Sequence, residues 1–402
     1  MSQSLFSSCN DSRGSIYNYV YVPHYPAVNG ALANHLPMTL VALAKLGAPP
    51  TLLQRRYNAM RHGLSKADDA STSATKNTVV TPANWSELLG AGRAYYLPLR
   101  SYFVSALKSN GIKKVLADHG PKLFTGTAKG LFHPVIRLYF ALESSGALDG
   151  ASAVDIDGVA CALAYWVIRW APVTNLDTAA LVAATAADAP NSRTGATADY
   201  KIGSPLDAAW AALAQLQRSN DRITVPQSTF TALDQLARTQ EIIRLSLAGT
   251  QLFAARGSAA LASIAEDVAA HAVRLYAHSP ALTTLHGVTG IHAVIGMLPL
   301  LSADVAAMAV AVTWVWLSAL YVEKGCPTLV APPPRRLEDA LGDDVDAVDD
   351  ANSEASWTRM RLHALQLAEH VHVVKLTCEF FLMRASVKCF GRGSSASGLA
   401  FA

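Results

Sequence analysis

Residues 305–322 read VAAMAVAVTWVWLSALYV, eighteen in a row without a charge. A run of that length is either the shortest helix that spans a bilayer or a helix enclosed on all sides by other protein. It is rich in alanine, it ends directly at Glu323-Lys324, and neither flank carries a basic anchor. No other stretch of that length in the 402 residues is as uniformly apolar. The reading is therefore a buried central helix of an all-α protein, with no membrane contact.

Composition supports an interior-rich globular chain. Of its residues, 51% are apolar and 16% charged, far from the balance of a disordered chain. The net charge of +3 is spread thinly, without Lys/Arg blocks, so there is no electrostatic footprint for nucleic acid. Cys9, Cys161, Cys326, Cys378 and Cys389 make an odd number with no C-x-x-C pair. That argues for a reducing compartment and against a disulfide framework or a cysteine zinc site. The first fifteen residues are polar and carry no secretory signal, so the expected location is the cytoplasm.

Apolar residues at helical spacing recur along the chain, and alternating strand patterns are nearly absent. Residues 29–46 read as a helix, with Pro37 either opening a new helix or kinking this one. Thr51 is expected to cap a second helix to about residue 60. Helices follow at 85–110, 111–119 and from His133 to about 145, the last with proline at its first turn. Residues 155–170 are strongly apolar, and further helices are expected at 205–218, 227–255, 259–278 and 357–388. Stretches 65–84, 187–205 and 326–356 read as mobile loops, and 391–402 as a flexible tail. No fixed-period repeat occurs. The expectation is a single large helical domain over residues 1–402, with any metal site buried between helices.

Motifs for several enzyme classes are missing. The nearest approach to a dinucleotide fingerprint, Gly391-Arg-Gly393-Ser-Ser-Ala396, has no strand before it and no room for a helix after it. NADPH dependence is thus left open, with no Rossmann motif to support it. There is no P-loop, no G-x-S-x-G, no H-E-x-x-H and no pair of E-x-x-H motifs. What remains is a site assembled from scattered helical residues.

Twelve histidines are present. His62, His119, His271, His278 and His363 have polar neighbours and are expected to reach solvent. His35, His133, His286 and His372 lie in apolar helical contexts. Burying four imidazoles without partners would cost about 1–3 kcal/mol for each unsatisfied group, and one metal ion is an economical common partner. His372 and Lys375 are three apart and share a helical face; His370 points away from it. His286 and His292 are six apart, on different faces of a continuous helix, and Gly287 and Gly290 argue against continuity. His286 is preferred as ligand, with His292 in a supporting or substrate-contacting role. Arg137 shares the face of His133, where it can hold a substrate oxyanion or pair with a structural acid. Tyr139, Phe140, Trp314 and Trp316 can line a flat pocket or simply pack the core.

Four segments together, Asn34-His35-Leu36, GLFHPVIRLYFALE at 130–143, LHGVTG at 285–290 and HVVK at 372–375, resemble the questin oxidase-like proteins. Their order spans most of the chain. The resemblance implies an all-helical oxygenase that uses O2 to open a ring of an anthraquinone-like aromatic substrate by Baeyer–Villiger-type oxidation. It implies mononuclear non-haem iron, Fe(2+), held by His35, His133, His286 and His372, with Lys375 as a carboxylated ligand. His370 stands where a polar or acidic residue is expected, which leaves its role open. A carbamate on Lys375 would supply the negative charge that an all-imidazole set lacks; the alternative for Lys375 is an ion pair with Glu379. Two other classes remain as readings: a metal-dependent hydrolase built on the same histidines, and a non-catalytic helical binder of hydrophobic small molecules. Substrate identity, electron donor and oligomeric state are not written in the sequence.

Overall fold

A computed structural model describes residues 27–28, 32–62, 64, 78–148, 156–172, 204–225, 230–248, 250, 252, 258–329, 362–363 and 365–366. Eleven helices in that description organise the chain: α1 Leu36–Lys45, α2 Pro50–Arg61, α3 Tyr96–Leu123, α4 His133–Ser144, α5 Ile156–Arg169, α6 Pro205–Arg218, α7 Phe230–Leu236, α8 Gln240–Leu247, α9 Ser258–His278, α10 Leu282–Met297 and α11 Ala303–Glu323. A two-residue antiparallel pair, β1 Ala27–Val28 with β2 Leu32–Ala33, precedes α1. The fold is all-α.

Helix α11 is the run of uncharged residues, and every residue from 305 to 322 is buried. It is long and apolar enough to cross a membrane by composition, and protein covers its whole apolar window. Because no face of it is polar, it needs neighbours all round: α3, α6, α7, α8, α9 and α10 pack against it. A second set of layers runs α3 on α5, α5 on α4, and α4 on α10, with α1 lying on α4. Helix α4 is thus held between α1 and α10, which places three histidine-bearing segments side by side.

Several boundaries differ from the sequence reading. The helix expected over 29–46 starts at Leu36, because residues 32–33 pair with 27–28 and Pro37 opens α1 within its first two positions. The cap of α2 is Pro49, with Pro50 in the first turn, so Thr51 is already inside the helix. The helix expected over 227–255 breaks into α7 and α8 at residues 237–239, which lets both short helices turn apolar faces onto α11. Gly111 adopts φ 74° and kinks α3 where two helices were expected. The loops expected at 65–84, 187–205 and 326–356 fall wholly or largely outside the described residues, as do the tail and most of the helix expected at 357–388.

Helix α10 runs unbroken through Gly287 and Gly290, against the expectation that these glycines interrupt it. They serve packing instead. A Cβ on Gly290 would sit 2.3 Å from the Phe132 ring, one on Gly287 2.7 Å from Leu317, and one on Gly296 2.3 Å from Tyr139. Missing side chains let α4 and α11 approach the α10 backbone, and that contact offsets the helix propensity glycine loses.

Candidate functional site

His35, His133 and His286 come from three separate elements. His35 is the N-cap residue of α1, in a turn whose backbone is tied down from several sides. Asn34 Oδ1 accepts from the Leu36 N–H at 3.0 Å, and the His35 carbonyl accepts from both the N–H and the hydroxyl of Thr39 at 2.9 Å. An Asx-type turn of this kind satisfies donors that a helix start otherwise leaves open.

His133 opens α4 directly after three left-handed residues: Gly130, Leu131 and Phe132, with φ 62°, 57° and 60°. Glycine adopts this region freely, while each non-glycine residue there costs about 1–2 kcal/mol. Packing offsets the strain: Phe132 is fully buried, its ring 4.9 Å edge-on to Trp316 and seated over Gly290. The turn carries the carbonyl of Gly130 back to the ring of His133. Strain of this kind clusters where a side chain has to be aimed.

The hydrogen bonds define the chemistry of the trio. Each Nδ1 faces a backbone carbonyl: Ala33 for His35 at 2.7 Å, Gly130 for His133 at 2.6 Å, and Leu282 for His286 at 2.7 Å. A carbonyl only accepts, so each Nδ1 carries the hydrogen, and a neutral ring then presents its lone pair at Nε2. His35 and His133 Nε2 stand 2.9 Å apart. The rings of His133 and His286 lie 4.7 Å apart, and the ligand-type atoms of all three lie within 4.8 Å of one another. Lone pairs facing each other repel unless a cation lies between them. A single proton can join two nitrogens; a metal ion can gather three. Two nitrogens bound at right angles to one ion at about 2.1 Å stand about 3 Å apart, close to the separation of His35 and His133. The trio can bind a metal ion. Backbone bonds at the far ring nitrogen are the usual way a metal site fixes tautomer and ring orientation.

Of the other residues singled out in the sequence, His370, His372 and Lys375 lie outside the described residues. Arg137 is fully buried one turn after His133; its guanidinium donates to the Asn34 carbonyl at 3.2 Å and lies over the Tyr165 ring, 5.2 Å from its centre. His292 is on α10 but not in the trio. It is 3% exposed, its ring meets Tyr139 edge-on at 5.3 Å, and neither ring nitrogen has a hydrogen-bond partner among the described residues. Burial, with the nearby Lys45 charge, holds its pKa down to about 4. Lys45 itself pairs with Glu143, on α4.

Two of the histidines expected at the surface are inside: His119 is 5% and His271 2% exposed, and each has a half-buried polar partner, Tyr102 and Asp207. His62, His278 and His363 are exposed as expected. Trp314, Trp316, Tyr139 and Phe140 pack the core, with Trp314 stacked on Trp210. A groove of about 450 Å³ lies elsewhere, between residues 78–80 and the start of α3, and none of the three histidines lines it. Residues the sequence reading left without a role include Thr39, Phe132 and Gly296; nothing local marks them, since each acts on a partner in another segment or on the backbone of a turn.

Residues 32–377 match the profile of the family described as Questin oxidase-like. No curated protein matches the sequence. With most of its length covered, the chain belongs to the questin oxidase-like family. The family's name is that of an oxidase, which points to oxidoreductase chemistry on a small molecule.

Proposed function

We propose that this member of the questin oxidase-like family is a non-haem iron-dependent oxygenase that opens a ring of a polycyclic aromatic, anthraquinone-like substrate by Baeyer–Villiger-type oxidation. The observation that carries this reading is the convergence of His35, His133 and His286 with every Nδ1–H given to a carbonyl. Such a nitrogen-rich set differs from the zinc hydrolase pattern, which usually brings a carboxylate ligand or base. His372 and Lys375, the latter carboxylated, would complete the set and add the negative charge that three imidazoles lack.

Bound iron would supply the one-electron chemistry that dioxygen needs. The protein's own share is orientation and electrostatics. The Ala33, Gly130 and Leu282 carbonyls raise the basicity of the three Nε2 atoms and prevent the rings from flipping. His286 is fully buried and the other two half-buried, so the trio faces outward on one side and is walled by α10 on the other. His292 belongs in this reading to the supporting wall, where a neutral imidazole contributes no competing charge.

Elemental analysis of untagged protein, purified without chelator, tests the reading beside His133→Ala. Stoichiometric iron lost in the variant, followed by oxygen uptake with anthraquinones, is the expected result. Stoichiometric zinc with esterase or lactonase turnover would favour the hydrolase, and no metal after anaerobic iron loading would end both.

A further inference from the structure

We infer that Arg137 is a positioning residue that sets the spacing of two metal ligands, His35 and His133, by clamping the turn before α1 onto α4. The inference rests on the metal-site reading above.

Helix α4 grips residues 34–35 with two side chains one turn apart. His133 meets the His35 ring through Nε2, and Arg137 reaches the carbonyl of Asn34 with its guanidinium at 3.2 Å. The peptide that Arg137 holds is the one joining Asn34 to His35, so any shift of it carries the His35 ring along. Other hydrogen bonds of the turn run within it or to α1: Asn34 Oδ1 accepts from Leu36, the His35 carbonyl accepts from Thr39, and His35 Nδ1 faces the Ala33 carbonyl. Those bonds hold the turn's shape but not its place relative to α4. Arg137 supplies the second point of attachment, and two points fix an orientation where one leaves a pivot.

The surroundings of Arg137 suit a fixed strut. It is fully buried, and its guanidinium lies on the Tyr165 ring of α5, which limits side-chain motion. A charge-assisted donor to a buried carbonyl is worth more than a neutral one, because the alternative leaves both groups desolvated. One guanidinium nitrogen, Nη1, is committed to the Asn34 carbonyl inside the protein. The geometry favours the ligand-positioning role.

The test measures cobalt(II) affinity and the visible cobalt spectrum of metal-stripped protein, with no substrate present. Arg137→Met keeps the apolar volume and removes the donor; Arg137→Lys keeps a charged donor; Leu138→Ala truncates a fully buried neighbour on the same helix. Arg137→Met is expected to lose about 10–100-fold in cobalt affinity, the usual scale for residues behind the ligands, and to change the spectrum. Arg137→Lys should recover most of that affinity. Leu138→Ala should lower thermal stability and keep wild-type affinity, which separates positioning from general destabilisation. Thr39→Val loosens the same turn by removing the hydroxyl bond to the His35 carbonyl, and it too should weaken binding; it carries the test if Arg137→Met fails to fold. Unchanged affinity in Thr39→Val and in any folded Arg137 variant, alongside loss in His35→Ala, overturns the positioning role. Unchanged affinity in both His35→Ala and His133→Ala would mean that the metal-site reading itself has failed.

Discussion

His286 and His271 begin alike and end in different environments. Each sits within a long helix and donates Nδ1–H to the carbonyl four residues earlier, Leu282 at 2.7 Å and Asp267 at 2.8 Å. His119 does the same with Val115 at 2.8 Å. What the other nitrogen meets separates them. His119 Nε2 faces the Tyr102 hydroxyl at 2.8 Å. His271 Nε2 lies 3.0 Å from the Asp207 carboxylate and 2.7 Å from Arg274, which also donates to Asp207. That cluster is closed: the His271 hydrogen bond foremost, with Arg274, outweighs burial and holds the Asp207 carboxyl far below its usual range. His286 instead turns toward two imidazoles, in a group that offers lone pairs and no charge of its own. A closed polar cluster serves the fold, and an electron-rich one of this kind invites a cation. The histidine's own helix does not decide between them.

Substituting each histidine by glutamine breaks the comparison most sharply. His286→Gln is expected to lose stoichiometric metal while remaining folded. His271→Gln should keep its metal and lose about 1–3 kcal/mol of stability, since Asp207 and Arg274 lose a buried partner. Equal metal content in the two variants would remove the distinction.

His292 sharpens it further, as a second histidine on α10 with no polar partner among the described residues. Its pKa falls to about 4 on folding, from an ordinary value near 6.5. Between those values the unfolded chain binds a proton that the folded protein refuses. This contribution is therefore fully favourable above about pH 6.5 and is lost as pH falls toward 4, by up to about 1.4 kcal/mol per unit. Urea midpoints at pH 7 and pH 5 should differ by less in His292→Leu than in wild type. An unchanged difference would show that His292 finds a polar partner in solution.

The third effect is smaller and concerns aim. Gly290→Ala forces its new methyl against the Phe132 ring, where no room exists. Overpacking of this kind costs about 1–3 kcal/mol. Because Phe132 anchors the left-handed turn that carries His133, metal affinity should fall along with the melting temperature. A drop in melting temperature with metal affinity intact would separate the turn from the site.

Much of the architecture was legible from residue order. The uncharged run before Glu323 read as an enclosed helix rather than a membrane span, and α11 is enclosed. His133-Pro134 marked the start of α4, since proline tolerates only a first turn. Glycines 287 and 290 misled, because propensity counts their backbone freedom and cannot see the Phe132 and Leu317 side chains that need their absence. His119 and His271 misled for the reciprocal reason: polar neighbours in sequence suggested solvent, while the actual partners, Tyr102 and Asp207, stand 17 and 64 residues away.

The sequence by itself determined that the chain is helical, that one helix lies at its centre, and that His35, His133 and His286 belong among the candidate ligands. These follow from period, charge and apolar context, which are local properties. Only the tertiary structure decided that the three histidine side chains meet, that His292 does not join them, and that Arg137 lies against the Asn34 carbonyl. The reason is distance along the chain. His35 and His133 are 98 residues apart and converge because α1 packs on α4, while α10, also packing on α4, brings in His286.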